Sequence, residues 1–244
     1  MSYRDRYGFM HHKKVIDGNP FASENGVLFS AEYLVLLRSM NNLHFLPCLN
    51  FLNAVLLLHD GKGWKVTPES DRYDFSHDNF KGLIMGLQVL EEQAKKVDSK
   101  YWLASVKNLK KKIPIFHRQL DHPRDFLFVL GFKFKILRPF TFWVMKLAAI
   151  VSAFQTHKRK TIAKTDGKII GYCLCLAFDW KLTLWVMTKL LKRQRIKPMP
   201  RNAKGVIYDI SSETWRWDNW YNVFFDYYND ENHPIVGLVK ERGE

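Results

Sequence analysis

Residues suited to acid–base or ion-pair chemistry fall at three predicted helix starts. His77 and Asp78 stand in Ser76-His77-Asp78-Asn79, His122, Arg124 and Asp125 in Asp121-His122-Pro123-Arg124-Asp125, and Asp166 and Lys168 in Thr165-Asp166-Gly167-Lys168. The first turn of a helix leaves backbone N–H groups free at the positive end of the dipole, so polar side chains gather there as caps or as the floor of a site. Carboxylates with an imidazole, next to aromatic platforms, suit acid–base work on a glycan, with His77, Asp78, His122, Asp125 and Asp166 as the candidate catalytic groups. Two His and three Asp could also ligate a metal, but no H-x-x-x-H or similar local spacing accompanies them. No metal and no cofactor is expected. The simpler alternative is that these residues are caps and buried ion pairs holding helical hairpins together.

The elements that would position them follow from spacing. Ser76 suits an N-cap, and behind it Phe80, Leu83, Ile84, Leu87 and Leu90 recur at three- and four-residue steps, the stripe of a core-facing helix. Two helices precede it, over about Val27 to Leu37 and His44 to His59, with Pro47 tolerated in a first turn. Asp98 and Ser99 cap a fourth over Lys100 to Lys112, Pro123 opens a fifth, and Pro139 opens a sixth that runs to Phe154. Thr165-Asp166-Gly167-Lys168 opens a seventh, Lys181 to Arg195 is an eighth, Thr214 to Tyr228 a ninth, and a short last helix starts near Pro234. Residues 1–26 read as a polar arm and residues 27–244 as a single all-helical domain. Val206-Ile207-Tyr208 is the only strand candidate. The expected fold class is therefore all-α, built of antiparallel hairpins and compatible with a partial α/α toroid. Antiparallel packing puts the starts of helices three, five and seven at one end, which would gather the polar residues on one face.

Composition narrows the class of partner. The 244 residues carry a net charge of +14 and are 15% aromatic, which points to acidic partners and to rings buried in a core or an interface. The basic runs Lys110–Lys112, Lys158–Lys160 and Lys192–Arg195 sit mostly at predicted helix C-termini, where the dipole favours them. No zinc finger, RNA-binding aromatic signature, P-loop, dinucleotide fingerprint or G-x-S-x-G occurs, so nucleic acid has no motif in its support. Trp215, Trp217 and Trp220 belong to a helix with aromatics on every face, which favours burial against a partner chain. Cys48, Cys173 and Cys175 make no disulfide framework and read as reduced core thiols. Each apolar run is interrupted by polar residues or charge, so no clean membrane span is expected.

A set of spaced islands carries a resemblance. Glu24-Asn25-Gly26-Val27-Leu28-Phe29-Ser30-Ala31-Glu32-Tyr33, Ser76-His77-Asp78-Asn79, His122-Pro123-Arg124-Asp125, Thr165-Asp166-Gly167-Lys168 and His233-Pro234 resemble a poorly characterised family of tailed-bacteriophage proteins. That family has an N-G-(I/V)-L-F-(T/S)-A-E-Y opening and an S-H-D-N helix start. The resemblance implies a virus-encoded helical protein, made in the host cytoplasm and carried in the virion near the tail or portal. The function expected is a non-enzymatic structural component that docks on other virion proteins through basic and aromatic surfaces, with Arg124, Lys168, Trp215, Trp217 and Trp220 as binding residues. A glycan-acting toroid enzyme is the alternative, with glycan as partner, and a nucleic-acid-binding internal protein is the third.

Overall fold

The computed structural model describes residues 2–4, 7–15, 26–39, 41, 43–115, 117, 123–154 and 162–193. Most of these residues are helical. The one sheet among them is a two-stranded antiparallel hairpin, β1 (Ser2–Arg4) and β2 (Met10–Val15). It stands where the sequence suggests an arm. Phe9, in its turn region, is buried, and the hairpin packs on the first helix. The chain divides into two compact units, Met1–Met145 and Lys146–Glu244.

In the first unit, α1 (Gly26–Ser39), α2 (Phe45–Leu56), α4 (Lys100–Lys112) and α5 (Pro123–Lys133) surround α3 (His77–Lys96). Residues Asn79 to Leu87 of α3 are all buried, so the helix is covered on every side, well beyond the single stripe read from its spacing. Two glycines allow that. A Cβ on Gly82 would lie 2.5 Å from the Leu28 Cα of α1, so the two backbones touch where they cross. A Cβ on Gly86 would overlap the Phe51 ring of α2. Ser76 caps α3 by accepting from the Asn79 N–H at 3.2 Å, and Ser99 caps α4 by accepting from Trp102 at 3.3 Å. The loop between α2 and α3 is pinned by Trp64, whose indole N–H donates to the Lys112 carbonyl at 3.0 Å.

A 3-10 turn at Lys135–Leu137 leads into α6 (Arg138–Phe154), which crosses the boundary between the units. In the second unit, α7 (Ile162–Ala177) and α8 (Lys181–Arg193) form a hairpin. Gly171 of α7 packs closely on Ala149 of α6, and Cys175 Sγ lies 3.8 Å from Met187 Sδ of α8. All three cysteines are buried and outside any disulfide, and burial pushes the thiols of Cys48 and Cys175 up to about 12, which leaves them unreactive. The expected strand at 206–208, the ninth helix, the last helix and the run Lys158–Lys160 lie outside the described residues.

Candidate functional site

The starts of α3 and α5 meet through one side chain absent from the sequence-based set, Lys81. Its position three residues after Asp78 puts both on one helix face, and Lys81 Nζ lies 3.2 Å from Asp78 Oδ1. It also lies 3.9 Å from Asp125 Oδ1 in the first turn of α5. Arg124 grips the same Asp125 carboxylate through both oxygens, with Nε at 3.0 Å from Oδ1 and Nη2 at 3.3 Å from Oδ2. His77 Nε2 completes the chain at 3.1 Å from Asp78 Oδ1. Lys81 and Asp125 are buried, whereas His77 is exposed.

Electrostatics make this cluster a poor proton relay. Burial alone raises the Asp78 carboxyl, but the hydrogen bonds and charges of His77 and Lys81 outweigh it and hold the group down at about 2, against an ordinary 3.8. Asp78 is therefore a fixed anion at any neutral pH, unsuited to donate a proton. Each carboxylate faces a cation, and the arrangement ties two helix starts together.

The other sequence candidates are placed as follows. His122 lies outside the described residues, although Pro123 beside it opens α5 as expected. Asp166 and Lys168 do not stand at a helix start, because α7 begins at Ile162, a turn before the expected Thr165. Ala163 and Lys164 are good helix formers and extend the helix backward past the Thr165 signal. Both residues belong to the second unit, and only their backbone is described. Trp215, Trp217 and Trp220 lie outside the described residues. Among the described residues, no group of three or more His, Cys, Asp or Glu side chains is placed to hold a metal ion.

A second cluster has the opposite balance. Glu91, near the C-terminal end of α3, receives Lys95 at 3.0 Å, Lys110 of α4 at 3.4 Å, and Lys135. Burial raises the Glu91 carboxyl, but these three ammonium groups bring it down to about 2. Burial also lowers Lys110, which Glu91 only partly offsets, and Lys110 stands over the Phe132 ring at 4.3 Å. Arg138 reaches Gln88 Oε1 at 3.2 Å nearby. Positive charge thus exceeds negative around Glu91.

Beside Lys135 lies an apolar face with no cover among the described residues. Phe134, Ile136, Phe140 and Trp143 are all exposed, Ile136 at 81% and Phe140 at 73%. Thr141, Phe142 and Met145, on the other side of α6, are buried. Lys135–Phe154 is long and apolar enough by length and composition to cross a membrane, with a mean hydropathy of 1.4. It is the one such helix among the described residues. Its apolarity is weak, Arg138 and Lys146 fall within it, and it is no clear span.

Compared with known proteins, the chain matches no family model, no curated protein and no solved structure.

Proposed function

We propose that the chain is a non-enzymatic structural component of a tailed-phage virion, tail- or portal-proximal, that docks through basic and aromatic surfaces. The observation that carries the non-enzymatic part is the pairing of Asp78, Lys81, Arg124 and Asp125 across two helix starts. Such pairing ties two elements together, since removing one partner leaves a buried charge uncompensated, and Asp78, held down at about 2, has no proton to give at neutral pH. The excess of cationic charge over the whole chain supports docking as the mode of action. The resemblance of the sequence islands to phage proteins supports the virion as its place.

Incorporation into particles tests this reading. Truncating Trp215, Trp217 and Trp220, or removing charge at Lys158, Arg159 and Lys160, is expected to reduce incorporation, since buried aromatic and cationic anchors each contribute about 2 kcal/mol or more to an interface. His77→Ala and Asp125→Asn are expected to act through stability alone. Turnover of host polysaccharide by the purified chain, lost in His77→Ala with an unchanged melting curve, would overturn the reading.

A further inference from the structure

The stretch from Phe126 to Thr165 contains eight Lys and Arg residues (Lys133, Lys135, Arg138, Lys146, Lys158, Arg159, Lys160 and Lys164) and no Asp or Glu. Within it lies the uncovered apolar face, in which Ile136, Phe140 and Trp143 follow one another at helical steps of four and three. Lys135 sits between the exposed Phe134 and Ile136, and its ammonium joins Lys95 and Lys110 on the single Glu91 carboxylate. Rings and branched chains rimmed by ammonium groups are what an interfacial membrane helix presents, with the apolar side in the acyl boundary and the cations at phosphate level. The exposed apolar side chains continue along α6 past Trp143 to Leu147, Val151 and Phe154, and a tryptophan on such a face suits the headgroup layer.

We propose that Phe134, Ile136, Phe140 and Trp143, with the exposed Lys135 among them and the exposed Lys95 sharing its carboxylate, dock the chain on an anionic lipid bilayer, with α6 lying in the interface. Crossing is disfavoured because the opposite side of α6 is already committed to protein: Thr141, Phe142 and Met145 are buried, and Arg138 donates to the Gly131 carbonyl at 3.3 Å and to Gln88. A second copy of the chain is the poorer occupant, since each copy carries +14 and like charges would meet across the contact. A bilayer rich in anionic headgroups matches both the ring face and its charge. This proposal goes beyond the virion reading and does not depend on it.

The test is co-sedimentation of the full chain with vesicles of phosphatidylcholine, with and without phosphatidylglycerol. Binding is expected to the phosphatidylglycerol vesicles, weakened by raised salt, and to be far weaker to phosphatidylcholine alone. Lys135→Gln should weaken it about fivefold, and Phe140→Asp or Trp143→Ala about tenfold or more. Melting curves should stay close to wild type, because these side chains are exposed. A chain that stays in solution with both vesicle types overturns the proposal, and using the full chain makes any covering of the face by the chain itself read as that failure. Equal, salt-independent binding to both vesicle types also overturns it, as does binding to phosphatidylglycerol that ignores Phe140→Asp. Self-association relieved by Phe140→Asp, without vesicle binding, would assign the face to a second copy. Loss of vesicle binding leaves the virion reading standing, since particle incorporation is measured separately.

Discussion

Lys81 of α3 reaches Asp125 of α5 across 3.9 Å while holding Asp78 of its own helix at 3.2 Å. The contact is buried, so its removal should be felt in stability. Lys81→Met leaves Asp125 in the interior with Arg124 as its remaining cation among the described residues, and is expected to cost about 3 kcal/mol, the low end for breaking a buried pair. His77→Ala, at an exposed position, should cost less than about 1 kcal/mol. Urea unfolding of the two variants would check the ordering.

Asp78 in this cluster and Glu91 in the second one set an acid limit. The carboxyls of Asp78 and Glu91 are held at about 2 in the fold, against ordinary values of 3.8 and 4.5. A depressed folded-state value means that their stabilisation is complete above the unfolded value and is lost as pH falls toward the folded one. Stability should therefore be flat with respect to these two groups above about pH 5 and fall between about pH 4.5 and 2. Asp78→Asn and Glu91→Gln should each lower stability at neutral pH and make the acid limb shallower, as read by melting temperature against pH.

Gly82 and Gly86 reverse the usual preference for alanine inside a helix. Alanine normally gains about 1 kcal/mol over glycine there. At Gly82 the new Cβ would meet the Leu28 backbone, which cannot yield without moving α1, whereas at Gly86 it meets the Phe51 ring. Gly82→Ala should destabilise by about 2–3 kcal/mol and Gly86→Ala by less, if the ring can turn aside. Thermal melts of the single variants decide this.

Two short connectors carry a different strain. Asp98 between α3 and α4 has φ +50, and Asp179 between α7 and α8 has φ +52, both in the left-handed region. In each, the next residue's N–H returns to a carbonyl five back: Ser99 to Ala94 and Trp180 to Cys175, both at 2.9 Å. Glycine is the residue such a helix end favours. Asp98→Gly and Asp179→Gly should each raise stability by up to about 1 kcal/mol, seen as a higher melting temperature.

What was legible in the sequence was local. Ser76, Ser99 and Pro123 mark helix starts because a cap or a missing N–H acts within one turn, and the stripe from Phe80 to Leu90 marks a buried helix. The all-α class followed from these. Three features were not legible, for physical reasons. The hairpin of Ser2–Arg4 and Met10–Val15 lacks alternating apolar residues, and its register comes from pairing. The burial of Lys81 depends on where α5 begins in space. The uncovered face of Ile136, Phe140 and Trp143 looks in sequence like any core stripe, since periodicity reports that a helix is apolar on one side and not that anything covers it.

Glu91 is the residue whose loss should propagate furthest. Three ammonium groups converge on its carboxylate, and one of them, Lys110, is half-buried and lowered by that burial. Glu91→Gln keeps the shape but takes from Lys95, Lys110 and Lys135 the carboxylate they share, leaving Glu92 as the nearby anion that acts on Lys95. The expected cost is about 1–2 kcal/mol, between that of an exposed and that of a buried pair. Two further readouts separate repulsion from lost packing. Raised salt should recover part of the loss for the exposed Lys95 and Lys135, since screening acts on solvated charges. Adding Lys110→Met to Glu91→Gln should bring stability back toward wild type, because the buried charge that lost its partner is then gone. If the double variant is less stable than Glu91→Gln alone, Lys110 acts through its contact with the Phe132 ring and the charge argument fails.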